Sequence, residues 1–426
     1  MQLLKLLIRI PCTLIFAAGL TLVHTATAGD ISLSGFGTIG YAKSDQKFNY
    51  LRHINESGTF IHDSILGAQM DASFNPEWSA TIQAKLAPTL KVDNRFEPSI
   101  SWAFLAYRPN NDLLIRAGKL RMPFYLRAEN MDVGATYTAT RLPNEVYSVS
   151  PTMDFNGASF VKTWTVGENE WNLDGYWGRT TTPWRSYDRD TATPYWLNLN
   201  IEARGLLLSF HLKENIFRAG FHSAELTRED NKSYVADLAA VTMNPLSGIS
   251  GTYYVPSSEQ VFKITAPAFN FGMDVKLGQD YRAAGEYVRR MVKGINTGPD
   301  SESYFLSLMK EVDRWTPYLT YARIKSRNLG IYQTVNNARV TSTGAPAAVI
   351  DGINATQRDA ADNMNMYDQY SWAIGTSYNI DAKSKIKAEW QIVNTGLASS
   401  FIDAPVGEES GNRRINVYSL SYNFVF

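Results

Sequence analysis

From Ile31 to the last residue, apolar and polar positions alternate with a period of two in short runs separated by turn-forming residues. In the final run Tyr418, Leu420, Tyr422, Phe424 and Phe426 share one face, and Val417, Ser419, Ser421, Asn423 and Val425 share the other. Ile386, Ala388, Trp390 and Ile392 alternate in the same way with Lys387, Glu389 and Gln391, as do Phe269, Phe271, Met273, Val275 and Leu277 with Asn270, Gly272, Asp274 and Lys276. A period of two marks a strand with one apolar and one hydrated face. Sixteen such runs are predicted: residues 31–42, 61–74, 78–86, 99–107, 113–120, 155–164, 171–178, 205–212, 216–221, 269–277, 281–291, 304–311, 315–324, 370–380, 386–393 and 415–426.

The gaps between runs come in two sizes that strictly alternate, seven short turns with eight longer loops. A closed membrane barrel places its short turns on the periplasmic side and its long loops outside, whereas a soluble β-sandwich has no reason to sort them. Trp78, Trp171, Tyr281 and Trp315 each open a run directly after a short turn, and Phe74 and Phe426 end runs at the same level. Aromatic rings with one apolar and one polar edge favour a membrane–water boundary. Closure also pairs every backbone group that lipid would leave bare. The predicted fold is all-β, a closed transmembrane antiparallel β-barrel of 16 strands, or 18 if residues 234–241 and 250–255 within the fifth loop form another wall hairpin.

The third loop, residues 121–151, is too long for a simple connection, and loops of that size inside compact domains are usually functional. Folded into the lumen it would narrow the barrel. It carries Arg121, Arg127 and Arg141 against Glu129, Asp132 and Glu145, while strand parity turns Lys85, Arg282, Glu286 and Arg290 inward from the wall. Opposite charges fixed across a narrow low-dielectric opening focus a field and bias ion passage.

The amino end reads as a secretory leader over residues 1–28: Lys5 and Arg9, an apolar run, then Ala26-Thr27-Ala28. The one cysteine, Cys12, falls within it, so the mature chain, residues 29–426, would carry no thiol. Without Lys5 and Arg9 the 41 basic residues become 39 against 41 acidic ones, a net charge of −2, which gives no footprint for nucleic acid. No run beyond residue 28 is long and apolar enough for a membrane helix.

Chemistry is equally sparse. Gly35, Gly37 and Gly40 match a dinucleotide fingerprint but sit inside a strand with no helix following. His53, His62, His211 and His222 lack metal spacing, and Asp351, Asp359 and Asp362 read as part of a solvated polar loop rather than a calcium site. No nucleophile and base set is recognisable, so neither enzyme activity nor a cofactor or metal is expected.

The SGFGTIGY opening at 34–41, ILGAQMDA at 65–72, LIRAGKLRMPF at 114–124 leading into the long third loop, and the terminal YSLSYNFVF at 418–426 together resemble the outer-membrane porins of Gram-negative bacteria. The resemblance covers the mature chain. It implies a homotrimer of barrels embedded in outer-membrane lipid, each a passive water-filled pore for small hydrophilic solutes and ions. It also implies recognition of the last strand, ending in Phe426, by the barrel-assembly machinery. One departure is the absence of a Pro-Glu-Phe-Gly-Gly tip in the third loop. Carried over by position, Lys119 would face the constriction; parity instead puts Arg116 inward, with Leu113, Ile115 and Ala117 outward. The alternatives are a solute-specific channel, an outer-membrane hydrolase, and an adhesin using residues 327–368.

Overall fold

The computed structural model describes residues 30–150 and 152–426, so the leader reading of residues 1–28 lies outside the described residues. The sixteen runs pair in chain order: β1 (Asp30–Ser44), β2 (Ile65–Ser73), β3 (Trp78–Pro88), β4 (Phe96–Asn110), β5 (Leu113–Arg121), β6 (Asp154–Val166), β7 (Asn169–Asp188) and β8 (Thr193–Leu212). They continue with β9 (Asn215–Arg228), β10 (Lys263–Gly278), β11 (Tyr281–Arg290), β12 (Ser301–Lys310), β13 (Trp315–Ser326), β14 (Tyr367–Asn379), β15 (Ser384–Ser399) and β16 (Arg414–Val425). Each neighbouring pair is antiparallel, and β1 closes on β16 with Thr38 opposite Asn423, so the wall has no edge.

The outer face carries the apolar set of each strand. Leu33, Ile82, Leu206, Leu306, Trp372 and Leu420 are all exposed, a surface that suits hydrocarbon and not water. At the short-turn end the aromatic residues pair across strands: Trp78 stacks on Tyr107 with ring centroids 4.6 Å apart, Trp171 packs on Phe210 at 4.5 Å and Trp315 on Tyr378 at 4.7 Å.

Three expectations are corrected. The hairpin foreseen in the fifth loop forms, as Leu238–Met243 against Ile249–Pro256, but it pairs with Val340–Ser342 in a separate three-stranded sheet. β9 pairs directly with β10, so the wall holds sixteen strands and not eighteen. The fourth long loop is mostly strand, since β7 and β8 are each 20 residues long and leave only residues 189–192 as a turn. Here the pattern inverts: Asn200 and Arg204 are exposed while Leu199, Ile201 and Ala203 are buried inside, because these strands rise beyond the apolar belt. Finally, the segment containing Asp351, Asp359 and Asp362 is helical. It forms α2 (Ala347–Asp362), which packs on α1 (Leu329–Asn336) through Tyr332, Val335, Ala361 and Met364.

Candidate functional site

After β5 the chain leaves the wall and crosses the lumen before returning at β6, with one helical turn at Asn144–Tyr147. Charged and amide side chains from around the wall hold it there. Arg121, at the end of β5, has a side chain only 3% exposed; its Nη2 donates to Asp132 Oδ2 at 2.7 Å and its Nε to Asp154 Oδ1 at 2.9 Å. Lys85 Nζ of β3 donates to the same Asp132 oxygen at 2.7 Å. Burial by itself would raise the Asp132 carboxyl, but the Arg121 guanidinium and Lys85 ammonium outweigh it and hold the group well below the usual carboxylate range.

Farther along the loop, Arg141 Nε donates to Asp63 Oδ1 at 2.9 Å, and both side chains are withdrawn from solvent. Burial pushes the Asp63 carboxyl up, yet Arg141 beside it leaves it depressed overall. Arg127 pairs with Asp274 of β10, which also takes Arg282 of β11. Glu286 Oε1 accepts from the Leu126 amide, Arg290 Nη1 donates to Val149 O at 2.6 Å, and Glu145 Oε1 accepts from Gln369 Nε2 at 2.9 Å. Opposite these, Lys387 Nζ of β15 donates to Gly134 O at 2.6 Å and Ala139 O at 2.7 Å and lies over the Tyr137 ring.

All the residues expected at a constriction except Lys119 are therefore gathered in the lumen, but most act as cross-braces and do not face one another over open water. The physical reason is desolvation: a charge held in a confined site is costly unless paired, so the loop's cations and anions each find a partner on the wall or on the loop itself. Glu129 is the exception, with a side chain 66% exposed and Arg116 Nη1 3.6 Å away. Arg116 sits opposite Ala106, whose side chain is buried inside the wall. Lys119 pairs with Ala103 and Asn156 on the outward face shared with Ile115 and Ala117, so the position implied by the resemblance is corrected and Arg116 takes the inward place.

Sequence reading missed Arg218, Asn270 and Asp63 as loop braces. Arg218 Nη1 donates to Tyr125 O at 3.0 Å and to Leu126 O at 3.2 Å, and Asn270 Nδ2 donates to Phe124 O. All three are wall or loop groups that bind backbone or a distant partner, which no local spacing announces. Asn270, Asp274 and Lys387 were legible as members of hydrated faces, though not as braces. His222 is a structural polar group, between Tyr176 Oη at 2.9 Å and Asn270 Oδ1 at 3.1 Å. Among the described residues no cluster of His, Cys, Asp or Glu is arranged to hold a metal ion.

The crossing loop divides the interior. Toward the short turns lies a cavity of about 310 Å³ with Arg127, Arg141, Arg282, Glu311 and Glu389 on its wall. Toward the long loops lies a larger one of about 580 Å³, bounded by β7 to β11, the third, fifth and sixth loops and α2.

No family model and no curated protein matches the sequence. Among solved structures, the chain is similar to OmpT of Vibrio cholerae with loop L8 deleted, at a TM-score of 0.53 and 11% identity, covering 94% of this chain and 100% of that one. It is also similar to OmpF of Salmonella typhi in complex with daunomycin, at a TM-score of 0.50 and 10% identity, covering 92% of this chain and 97% of that one. At such identity the likeness is one of fold, the closed transmembrane β-barrel.

Proposed function

We propose that the protein is a non-enzymatic channel of the Gram-negative outer membrane, passing small solutes down their gradients through a lumen narrowed by its third loop. The observation that carries this reading is the combination of an apolar outer wall with a polar interior crossed, but not packed solid, by a braced loop. A barrel that served only as an anchor would have no use for open cavities on both sides of an internal partition, one of them lined by charged side chains. Small hydrophilic solutes and ions would pass the charged chamber beside Arg127, Arg282 and Glu389, whose mixed signs orient dipolar molecules. Homotrimer assembly and recognition of the last strand by the assembly machinery belong to the same reading. Chemical cross-linking of the purified protein tests the first.

A planar bilayer tests the channel itself. Purified protein should give discrete conductance steps, and a salt gradient should give a reversal potential set by the exposed charges. Absence of steps would overturn the reading. A second reading, a channel for a particular class of solute, is favoured by the apolar character of the larger cavity. Saturable block of the current by one solute distinguishes it from a general pore.

A further inference from the structure

The larger cavity departs from the polar interior of the rest of the barrel. Leu199, Ile201 and Ala203 of β8, Leu226 of β9 and Ile264 and Ala268 of β10 all turn inward here and are buried. Water gains nothing from such a wall, and no side chain fills the space, whose volume of about 580 Å³ is that of a small-molecule site. Between these inward positions of β8 the outward ones, Asn198, Asn200, Glu202 and Arg204, are polar, so the inward apolar set is not a by-product of a uniformly greasy stretch.

One cation enters this wall. Arg290 is only 7% exposed and has no ion-pair partner among the described residues; its Nη1 is used by Val149 O, while its Nε and Nη2 have no partner. Those two nitrogens form the side edge of the guanidinium, the edge that takes a carboxylate with two parallel hydrogen bonds. Tyr234 Oη and Trp196 Nε1, also on this wall, are buried without partners as well. The other charged groups here are engaged: Arg228 Nη2 donates to Asp230 at 2.6 Å, and Asp359 Oδ1 accepts from Asn363 Nδ2 at 3.2 Å. The unmet polar capacity of the cavity is thus donor capacity centred on one buried positive charge. Such a group calls for an acceptor, and the surrounding wall calls for an apolar body.

We propose that this cavity binds a monocarboxylate with an apolar or aromatic body, its carboxylate held side-on by Arg290 and its body lying on the aliphatic wall of β8 to β10. The inference rests on the channel reading and deepens it by naming the solute class, an amphipathic acid taken up at the loop side of the partition.

The test uses the whole protein in lipid nanodiscs with 2-naphthoate and its neutral analogue 2-naphthamide, followed by equilibrium dialysis. Wild-type protein should bind 2-naphthoate saturably. Arg290→Gln should weaken the acid about tenfold or more while leaving the amide within about twofold. An unchanged acid affinity, or an equal loss for both probes, overturns the proposal. Because Arg290 also braces the third loop, Leu226→Trp serves as an independent variant that fills the cavity from a residue making no loop hydrogen bond. It should abolish binding of both probes, and retained acid binding would overturn the proposal even if Arg290→Gln does not fold. Conductance steps without naphthoate binding overturn this inference alone, whereas absence of steps overturns the channel reading whatever binds.

Discussion

Arg121 and Lys85 meet at one atom: both donate at 2.7 Å to Oδ2 of Asp132, tying the descending arm of the third loop to β3 and to the end of β5. Removing the anion leaves two cations confined together. Breaking a buried pair from one side costs about 3–5 kcal/mol, far more than an exposed pair. Asp132→Asn should therefore loosen the loop, seen as excess single-channel current noise and as new proteolytic cleavage within residues 121–151. Glu129→Gln removes an exposed charge and should do neither, shifting only the reversal potential toward anions. Equal noise in both variants would mean that Asp132 is not a brace.

The same pairs set a response to acid. The Asp132 and Asp63 carboxyls are depressed by their cationic partners despite burial. A depressed acid stabilises the folded arrangement fully above its unfolded value, about 3.9, and loses that contribution as pH falls through its lower folded value. Loop noise should stay flat from neutral pH to about pH 5 and rise only below about pH 4. Asp132→Asn should be noisy across the whole range. A noise transition near pH 6 would point away from these carboxylates.

The barrel seam makes a separate demand. A Cβ on Gly35 would lie 2.2 Å from the Phe426 ring, and one on Gly37 2.5 Å from the Phe424 ring, so the aromatic residues of the last strand lie over glycines of the first. Gly35→Leu should lower the fraction of folded, heat-modifiable barrel on a cold detergent gel, and adding Phe426→Ala should restore part of it. No change in the single variant would show that the seam tolerates the ring elsewhere.

The wall was legible because period-two alternation is local and each strand reports its own two faces, as Ile386 to Val393 does. The extra length of β7 and β8 was hidden for the same reason. From Asn198 to Arg204 the alternation persists but its phase is reversed, polar outward and apolar inward, and a search for an apolar outer face stops at Gly205. The site was legible as a set of charges and not as a set of pairs. Arg141 finds Asp63 and Arg127 finds Asp274 across the lumen, contacts fixed by the path of the loop and by no spacing within it. Helix α2 escaped because its polar residues read as a solvated loop, although Asn354 bonds the Val340 backbone and Arg358 pairs with Asp190, and only Asp351 of the three is exposed.

Arg189 tests whether the outer cap is a unit separate from the barrel. It occupies the β7–β8 turn with a side chain 3% exposed, and its Nη2 donates to Asp362 at 2.6 Å and to Asn336 at 2.8 Å, joining the tip of the tallest hairpin to α1 and α2. Its Nη1 also pairs with Glu409 of the last loop. No wall hydrogen bond depends on it. Arg189→Ala should leave Asp362 buried without its partner, at a local cost of about 3–5 kcal/mol, while the strand ladder stays intact. The expected result is trypsin cleavage within residues 327–366 of a barrel whose heat-modifiable mobility is unchanged. Cleavage accompanied by loss of the barrel would make cap and wall one cooperative unit, and resistance to trypsin would place the hold on the cap in its other contacts, the Arg358–Asp190 pair and the apolar packing of α1 on α2.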